Sequence, residues 1–282
     1  MTIKDDAYFA ETSYHHRTDA PVFDTGEDWR NASSALPVVW ISERVEDAEG
    51  NYLGRTFVDR YPDMEYDDEG GWTALEYGAH YYNEGMGYSD VSELETRIAC
   101  FQAAELLYLH AAERGNAIAW SNLGYVYSYD RCAGRYFKKM DGRASFYDPT
   151  DASEDAYPRE ERAFECFSRA SDAGLAEATY KLGDLYKNGV GCEPDAQKSF
   201  LCYKRAFDLG QNEEPVIWGS IALRLGDAYE NAIGCEQSFS KACKWYEQAV
   251  TGLEIAVRSG DWYYKKALTS AQNGVKRCKQ EL

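Results

Sequence analysis

The side chains best suited to chemistry are few, and they do not form a catalytic motif. The histidines are His15, His16, His80 and His110. His80 and His110 lie in predicted helices, where packed or surface histidines are expected. The chain contains no Gly-x-Ser-x-Gly turn, no phosphate-binding loop and no His-Glu-x-x-His motif. We therefore predict a protein that is not an enzyme and that has neither a metal site nor a cofactor.

Eight cysteines raise the separate question of metal ligation or disulfide bonds. No Cys-x-x-Cys pair occurs, and no histidine lies near a cysteine at zinc-ligand spacing. Several cysteines fall at apolar helix positions, where a free thiol behaves as a small hydrophobic group. We expect buried thiols. Local bridges between Cys192 and Cys202, and between Cys235 and Cys243, are the alternative in an oxidising compartment.

Composition and charge narrow the class of partner. Of 282 residues, 44% are hydrophobic and 28% are charged, which is typical of a folded chain. The net charge of −18 opposes binding to nucleic acid or anionic lipid and is compatible with solubility or with a bias toward basic partners. The chain starts without the basic and apolar regions of a secretion signal and has no membrane-length apolar run, so we expect a cytoplasmic protein.

Repeated segments in the sequence indicate how the chain is organised. Segment 163–170 recurs at 199–206, an offset of 36, with Phe164 and Cys166 among the identical positions. Segment 182–193 recurs at 225–236, where eight of twelve residues are identical at an offset of 43. A third copy begins near Gly115 and a weaker fourth copy near Trp72. Repetition at this period is typical of stacked helix pairs.

Each repeat is predicted to contain two helices. Apolar residues in 160–173 and in 176–188 recur at helical spacing. Gly174 and Gly210 are predicted as left-handed helix caps, and Pro194 as a first-turn residue of the next helix. A glycine recurs within the first helix at 124, 183 and 226, which indicates helices too close to admit a side chain.

The pattern Ala-x-x-x-Leu-Gly-x-x-Tyr-x-x-Gly-x-Gly, followed by a helix with an aromatic-x-x-Ala core and a closing glycine, resembles the Sel1-like repeats, relatives of tetratricopeptide repeats. The resemblance is strongest over 178–210 and implies an all-α fold, a right-handed α/α solenoid of about four helix pairs. It also implies protein–protein contacts on a concave face lined by the first helix of each pair. The implied organisation is a non-repeat cap or arm at 1–70, repeats at 71–260 and a capping helix at 261–282.

Two regions lie outside the repeat pattern. Residues 1–70 contain two β-prone runs, 38–41 and 52–58, which flank a turn and predict a hairpin. An insertion at about 131–158 carries a basic cluster with interleaved aromatics and is either a loop packed on acidic neighbours or a recognition element. Its candidate residues are Arg135, Lys138, Lys139 and Arg143.

Two functional hypotheses follow from these patterns. The first is an interaction scaffold whose concave groove binds an unknown protein or peptide, with a bias toward basic partners, and binds neither nucleic acid nor a membrane. The second is an enzyme or small-ligand binder with a pocket formed by the amino-terminal region and the 131–158 insertion. The resemblance implies that the groove is lined by non-core positions of the first helices: Asn122, Tyr125, Lys181, Asp184, Lys187, Arg224, Asp227 and Glu230.

Overall fold

The protein is described from a computed structural model, which defines residues 39–49, 52–60, 69–87, 94–129, 131, 159–210 and 213–282. The chain divides into two compact units, Met1–Arg159 and Glu160–Leu282. We call them the amino-terminal and the carboxy-terminal unit. The histidine pair at 15 and 16, Cys132 and the insertion residues Arg135, Lys138, Lys139 and Arg143 lie outside the described residues.

The described elements are two strands followed by helices. They are β1 (Val39–Glu46), β2 (Tyr52–Arg60), a 3₁₀ turn (Glu69–Gly71), α1 (Trp72–Gly87), α2 (Leu94–Glu113), α3 (Ala117–Ser128), α4 (Arg159–Asp172), α5 (Ala176–Asn188), α6 (Ala196–Leu209), α7 (Pro215–Asn231), α8 (Phe239–Arg258), a second 3₁₀ turn (Trp262–Tyr264) and α9 (Lys265–Gln280).

The predicted hairpin is confirmed. Strands β1 and β2 pair antiparallel, with Val39 opposite Arg60 and Val45 opposite Gly54. An irregularity between Val45 and Glu46 shifts the register next to the turn. The β-branched and aromatic residues of both runs favour this extended pairing over a helix.

Helices α1 and α2 of the amino-terminal unit pack through a glycine. A Cβ atom at Gly78 would lie 2.7 Å from the ring of Tyr108, so the helices are too close there for a side chain. The next helix, α3, begins at a cap in which Asn116 accepts hydrogen bonds from the amides of Ile118 and Ala119. Gly78 belongs to the weak fourth copy of the repeat, which therefore shares its helix packing with the stronger copies.

The carboxy-terminal unit is a stack of helix pairs, as the repeat pattern predicts. Helices α4 and α5 occupy the predicted segments to within a residue. Helices α7, α8 and α9 enclose a buried cluster of Ala222, Ala249, Leu253 and Ala271. Leu268 of the final helix packs against this cluster. The helical repeat fold is thereby observed in this unit.

The recurring glycine marks the closest approach within each pair. A Cβ atom at Gly183 of α5 would lie 2.6 Å from the ring of Tyr203 on α6. In the next repeat, Gly226 of α7 stands in the same relation to Tyr246 on α8, also at 2.6 Å. Both tyrosines are buried. The predicted reason for the glycines at 183 and 226 is confirmed.

The turns after α5 and α7 also repeat. Gly191 and Gly234 have positive φ angles, and a Cβ atom at either would lie about 2 Å from a backbone carbonyl, of Glu160 and of Ala196 respectively. The left-handed cap of α5 is Gly189, with φ 66°. At the equivalent position after α7, Ala232 adopts φ 55°.

Two predicted turn roles are wrong. Gly174 has φ 94°, as predicted, but Gly210 caps α6 with φ −90° and is not left-handed. Gly210 is instead crowded, because a Cβ atom there would lie 3.2 Å from that of Ala176. Pro194 precedes the cap Asp195 rather than lying in the first turn of α6, since the Asp195 carboxylate accepts from the Lys198 amide.

A Gly226→Ala substitution is expected to destabilise the carboxy-terminal unit. Alanine gains about 1 kcal/mol over glycine within a helix, but overpacking against Tyr246 costs about 1–3 kcal/mol. Urea unfolding followed by circular dichroism measures the net change. The control is Gly87→Ala, whose Cβ would meet open space, and it is expected to be neutral or slightly stabilising. An unchanged or higher urea midpoint for Gly226→Ala would contradict the packing described.

Ala232→Gly is expected to stabilise the protein by up to about 1 kcal/mol. The left-handed conformation costs an L-residue roughly 1–2 kcal/mol, part of which the flexibility of glycine in the unfolded chain offsets. The reciprocal change, Gly189→Ala, should destabilise, because it adds the same strain and brings a Cβ within 2.7 Å of Pro194. Thermal unfolding of both variants measures the two changes in stability. Changes of the same sign would refute the equivalence of the two turns.

Candidate functional site

A polar cleft in the carboxy-terminal unit brings together four of the predicted groove residues. We call it the polar cleft, and it has a volume of about 550 Å³. The predicted residues in its wall are Asp184 and Lys187 from α5, and Arg224 and Asp227 from α7. The full lining is Asp184, Lys187, Asn188, Leu223, Arg224, Asp227, Tyr246, Ser270, Asn273 and Arg277.

Asp184 and Arg224 form a bidentate ion pair across α5 and α7. The guanidinium Nε lies 2.7 Å and Nη2 lies 2.5 Å from the two carboxylate oxygens. Tyr203 donates its hydroxyl to the same carboxylate at 2.8 Å, and the guanidinium lies 4.4 Å from the ring centre of Tyr180. Two parallel N–H bonds on a planar guanidinium fix geometry better than a single contact. This pair therefore sets the register of α7 against α5.

A second ion pair lies one turn farther along the same two helices. Lys187 Nζ is 2.5 Å from an oxygen of Asp227, and both side chains are about one-third exposed. Asn231 donates to the other oxygen of Asp227 at 2.8 Å. A single exposed pair of this kind contributes only about 0–1 kcal/mol. Its main effect is to hold the wall of the cleft in one arrangement.

Glu230 differs from its prediction as a non-core groove position. It is buried, at 8% exposure, and accepts hydrogen bonds from Tyr246 at 2.5 Å and from Arg277 at 2.6 and 2.7 Å. The hydrogen bonds from Arg277 lower the pKa of Glu230, and the bond from Tyr246 acts in the same direction. Glu230 lies beneath the cleft and positions Arg277 in its wall.

The remaining predicted positions lie elsewhere. Lys181 is half-buried, with its ammonium 5.5 Å from the ring centre of Tyr180. Burial lowers the pKa of Lys181, and the nearby Arg224 lowers it further. In the amino-terminal unit, Asn122 and Tyr125 line a separate, smaller cavity. Tyr125 also stacks on Tyr129, with ring centres 5.9 Å apart.

Arg131 is the one described residue of the basic cluster in the 131–158 insertion. Its guanidinium lies 5.0 Å from the ring centre of Tyr82 and 4.9 Å from that of Tyr129, and it donates a hydrogen bond to the Tyr82 hydroxyl. These cation–π contacts stabilise the positive charge of Arg131 within the unit. Arg131 therefore packs on aromatic neighbours, and the alternatives for the rest of the cluster concern residues outside the described ranges.

The described cysteines and histidines do not assemble into a site. No disulfide joins Cys192 to Cys202 or Cys235 to Cys243, and burial raises the pKa of the Cys202 thiol to about 11. His80 is exposed and lies 3.8 Å from Glu84. Within the described ranges, no group of three or more potential metal ligands occurs.

Sequence reasoning missed the contribution of α9 to the cleft. Ser270, Asn273 and Arg277 line it, although the final helix was expected only to close the stack. The available signal was the basic character of 265–279, which is equally typical of a solvated capping helix. Tyr203 and Tyr246 were also missed as donors to carboxylates, although their recurrence at an offset of 43 was visible.

Comparison with known proteins agrees with the repeat pattern. The family model described as Sel1 repeat matches residues 156–175, 176–211 and 222–251. An uncharacterised Sel1-like repeat-containing protein of Schizosaccharomyces pombe is 30% identical over 108 residues, which is 38% of this chain and 15% of that protein. The chain thus matches a small part of that relative's length.

Two solved structures are also similar to this chain. A Sel1 repeat protein from Oxalobacter formigenes is 20% identical, with a TM-score of 0.44, over 77% of this chain and 76% of that one. The protective antigen c5321 of uropathogenic Escherichia coli, with an SLR fold, is 18% identical, with a TM-score of 0.34, over 76% of this chain and 46% of that one.

No helix in the described part of the chain combines the length and apolar character needed to cross a bilayer.

The Glu230–Arg277 pair predicts a pH-dependent loss of stability. Since the folded pKa of Glu230 is lowered, its stabilisation is fully present above the unfolded value, about 4.3, and is lost as pH falls through the folded pKa. Glu230→Gln should cost about 1.5 kcal/mol at pH 7, at the low end for a charged hydrogen bond because Arg277 is half exposed. The difference between wild type and variant, measured by urea unfolding, should shrink below about pH 4. A difference that is constant from pH 7 to pH 3 would contradict the assignment.

Proposed function

We propose that this chain, which matches the Sel1 repeat model at residues 156–175, 176–211 and 222–251, is a protein-interaction scaffold whose polar cleft binds a peptide segment of a partner protein. The observation that carries this proposal is the convergence of α5, α7 and α9 on one open, polar cavity. Four groove positions that were predicted from the resemblance line it. Helical repeats use surfaces of this kind to hold extended segments.

The rigidity of the walls supports binding. The Asp184–Arg224 and Lys187–Asp227 pairs join α5 to α7, and Glu230–Arg277 joins α7 to α9. Side chains already held in place lose little conformational entropy when a ligand arrives. The cleft is therefore preorganised, and its shape depends on residues from three successive repeats.

The carboxylates of the cleft support binding over catalysis. Asp184 and Glu230 are each held by an arginine and a tyrosine, so the oxygens of both carboxylates are already hydrogen-bonded within the protein. General acid–base catalysis needs a group whose pKa is near the working pH, whereas hydrogen bonding lowers that of Glu230. We propose a non-enzymatic role.

We propose supporting roles for the other predicted surfaces. Residues 261–282 would both close the array of 71–260 and complete the polar cleft, and residues 1–70 would act as a cap or arm. Asn122 and Tyr125 would form a separate contact surface on the amino-terminal unit. Arg135, Lys138, Lys139 and Arg143 would belong to a recognition element.

Filling the cleft should abolish peptide binding without unfolding the chain. Ser270 is exposed in the cleft wall. Among the described residues its hydroxyl bonds only to the Lys266 carbonyl of the same helix, so Ser270→Trp leaves the inter-helix ion pairs in place. Peptides selected from a random phage-displayed library on the full chain should lose about tenfold or more in affinity for this variant by fluorescence anisotropy.

The matched control is Ser240→Trp, an equal change at an exposed position in the first turn of α8. It should leave affinity unchanged, and both variants should keep the wild-type circular dichroism spectrum. If all selected peptides bind Ser270→Trp as tightly as wild type, the polar cleft is not the binding surface.

A further inference from the structure

We infer that the segment bound in the polar cleft is acidic and presents Asp or Glu carboxylates to free donors on α5 and α9. This inference rests on the proposed function and names the chemistry of the partner. It reverses the bias toward basic partners that the net charge of −18 suggests.

The carboxylates in and beneath the cleft already have donors. Both oxygens of Asp184 bond to Arg224, and one also accepts from Tyr203. One oxygen of Asp227 bonds to Lys187 and the other to Asn231. The two oxygens of Glu230 are likewise filled, by Arg277 and Tyr246. A basic ligand would have to displace these donors, so little attraction for it remains.

By contrast, several N–H donors in the cleft wall have no acceptor among the described residues. The Lys187 ammonium has three N–H groups and uses one on Asp227. Arg277 uses Nε and Nη2 on Glu230, and its Nη1 makes no hydrogen bond within the described part of the chain, although the side chain is 54% exposed. The Asn273 amide lies in the same wall. These groups are complementary to carboxylate oxygens, and charged pairs form the stronger hydrogen bonds.

The charge of the surrounding surface has the same sign. Residues 239–282 contain eight Lys and Arg against four Asp and Glu, whereas the rest of the chain has twice as many acidic as basic residues. Lys265, Lys266 and Lys276 on α9 are exposed. The basic end raises the local concentration of an acidic segment. The acidic remainder of the chain repels long uniform polyanions, which favours a short protein segment over nucleic acid.

Asn273 provides a test in both directions, because it lines the cleft but has no part in the inter-helix ion pairs. Peptides selected from the random library should be enriched in Asp and Glu. Their affinity should fall about tenfold for Asn273→Asp and rise for Asn273→Lys, and it should weaken as salt is added. Glu-to-Gln versions of the selected peptides should bind weakly to all three proteins. The control pair, Ser240→Asp and Ser240→Lys, should change affinity by less than about twofold.

The outcomes separate this inference from the proposed function. Selected peptides that are neutral or basic, yet fail to bind Ser270→Trp, would overturn the acidic partner and leave the cleft as the binding surface. Peptides that ignore Ser270→Trp would overturn both. Binding of a single-stranded DNA or heparin probe as tight as that of the selected peptides, with the same response to Asn273→Asp, would replace the protein segment with a general polyanion.

Discussion

The close approach of paired helices at a glycine is the constraint on which the carboxy-terminal unit depends. At Gly183 and Gly226 the opposing tyrosine ring lies 2.6 Å from where a Cβ atom would be. The same contact brings each tyrosine hydroxyl to a carboxylate, Tyr203 to Asp184 and Tyr246 to Glu230. Each carboxylate then binds an arginine from the following repeat. One missing side chain thus fixes a packing distance, a hydrogen bond and the ion pair that joins neighbouring repeats.

The tyrosine–carboxylate–arginine connection explains how charged residues at the surface stabilise the packing of neighbouring repeats. An exposed ion pair is weak when both side chains must be immobilised to form it. Here a buried ring immobilises the carboxylate beforehand, so the arginine meets a fixed acceptor. The predicted groove residues consequently serve two roles, since they hold successive repeats together and shape the surface open to a ligand.

Much of the fold was predictable because the constraints on it are local and repeat along the chain. The helices α4 and α5, the hairpin and the reason for Gly183 and Gly226 follow from spacing and residue size. The prediction of a left-handed cap at Gly210 was wrong. A glycine is favoured both by a left-handed turn and by crowding, and at Gly210 the cause is crowding by Ala176. Within the candidate site, the selection of Asp184, Lys187, Arg224 and Asp227 came from the resemblance to the Sel1-like repeats, which implies that the first helices line the groove. The burial of Glu230 and the entry of Arg277 were not predictable, since both depend on how α9 packs, and α9 has no earlier copy to compare with.

The tyrosine–glycine contacts form within a repeat and the ion pairs form between repeats, and this difference affects how the number of repeats can change. The tyrosine–glycine fit lies inside a repeat, and the stretch from Leu182 to Glu193 is nearly duplicated 43 residues later. Unequal crossing-over between these two stretches would remove or add one whole repeat while leaving every fused helix with its glycine, its acid and its opposing aromatic ring. Array length, and with it the reach of the surface, can therefore vary between lineages without passing through an unfolded intermediate sequence.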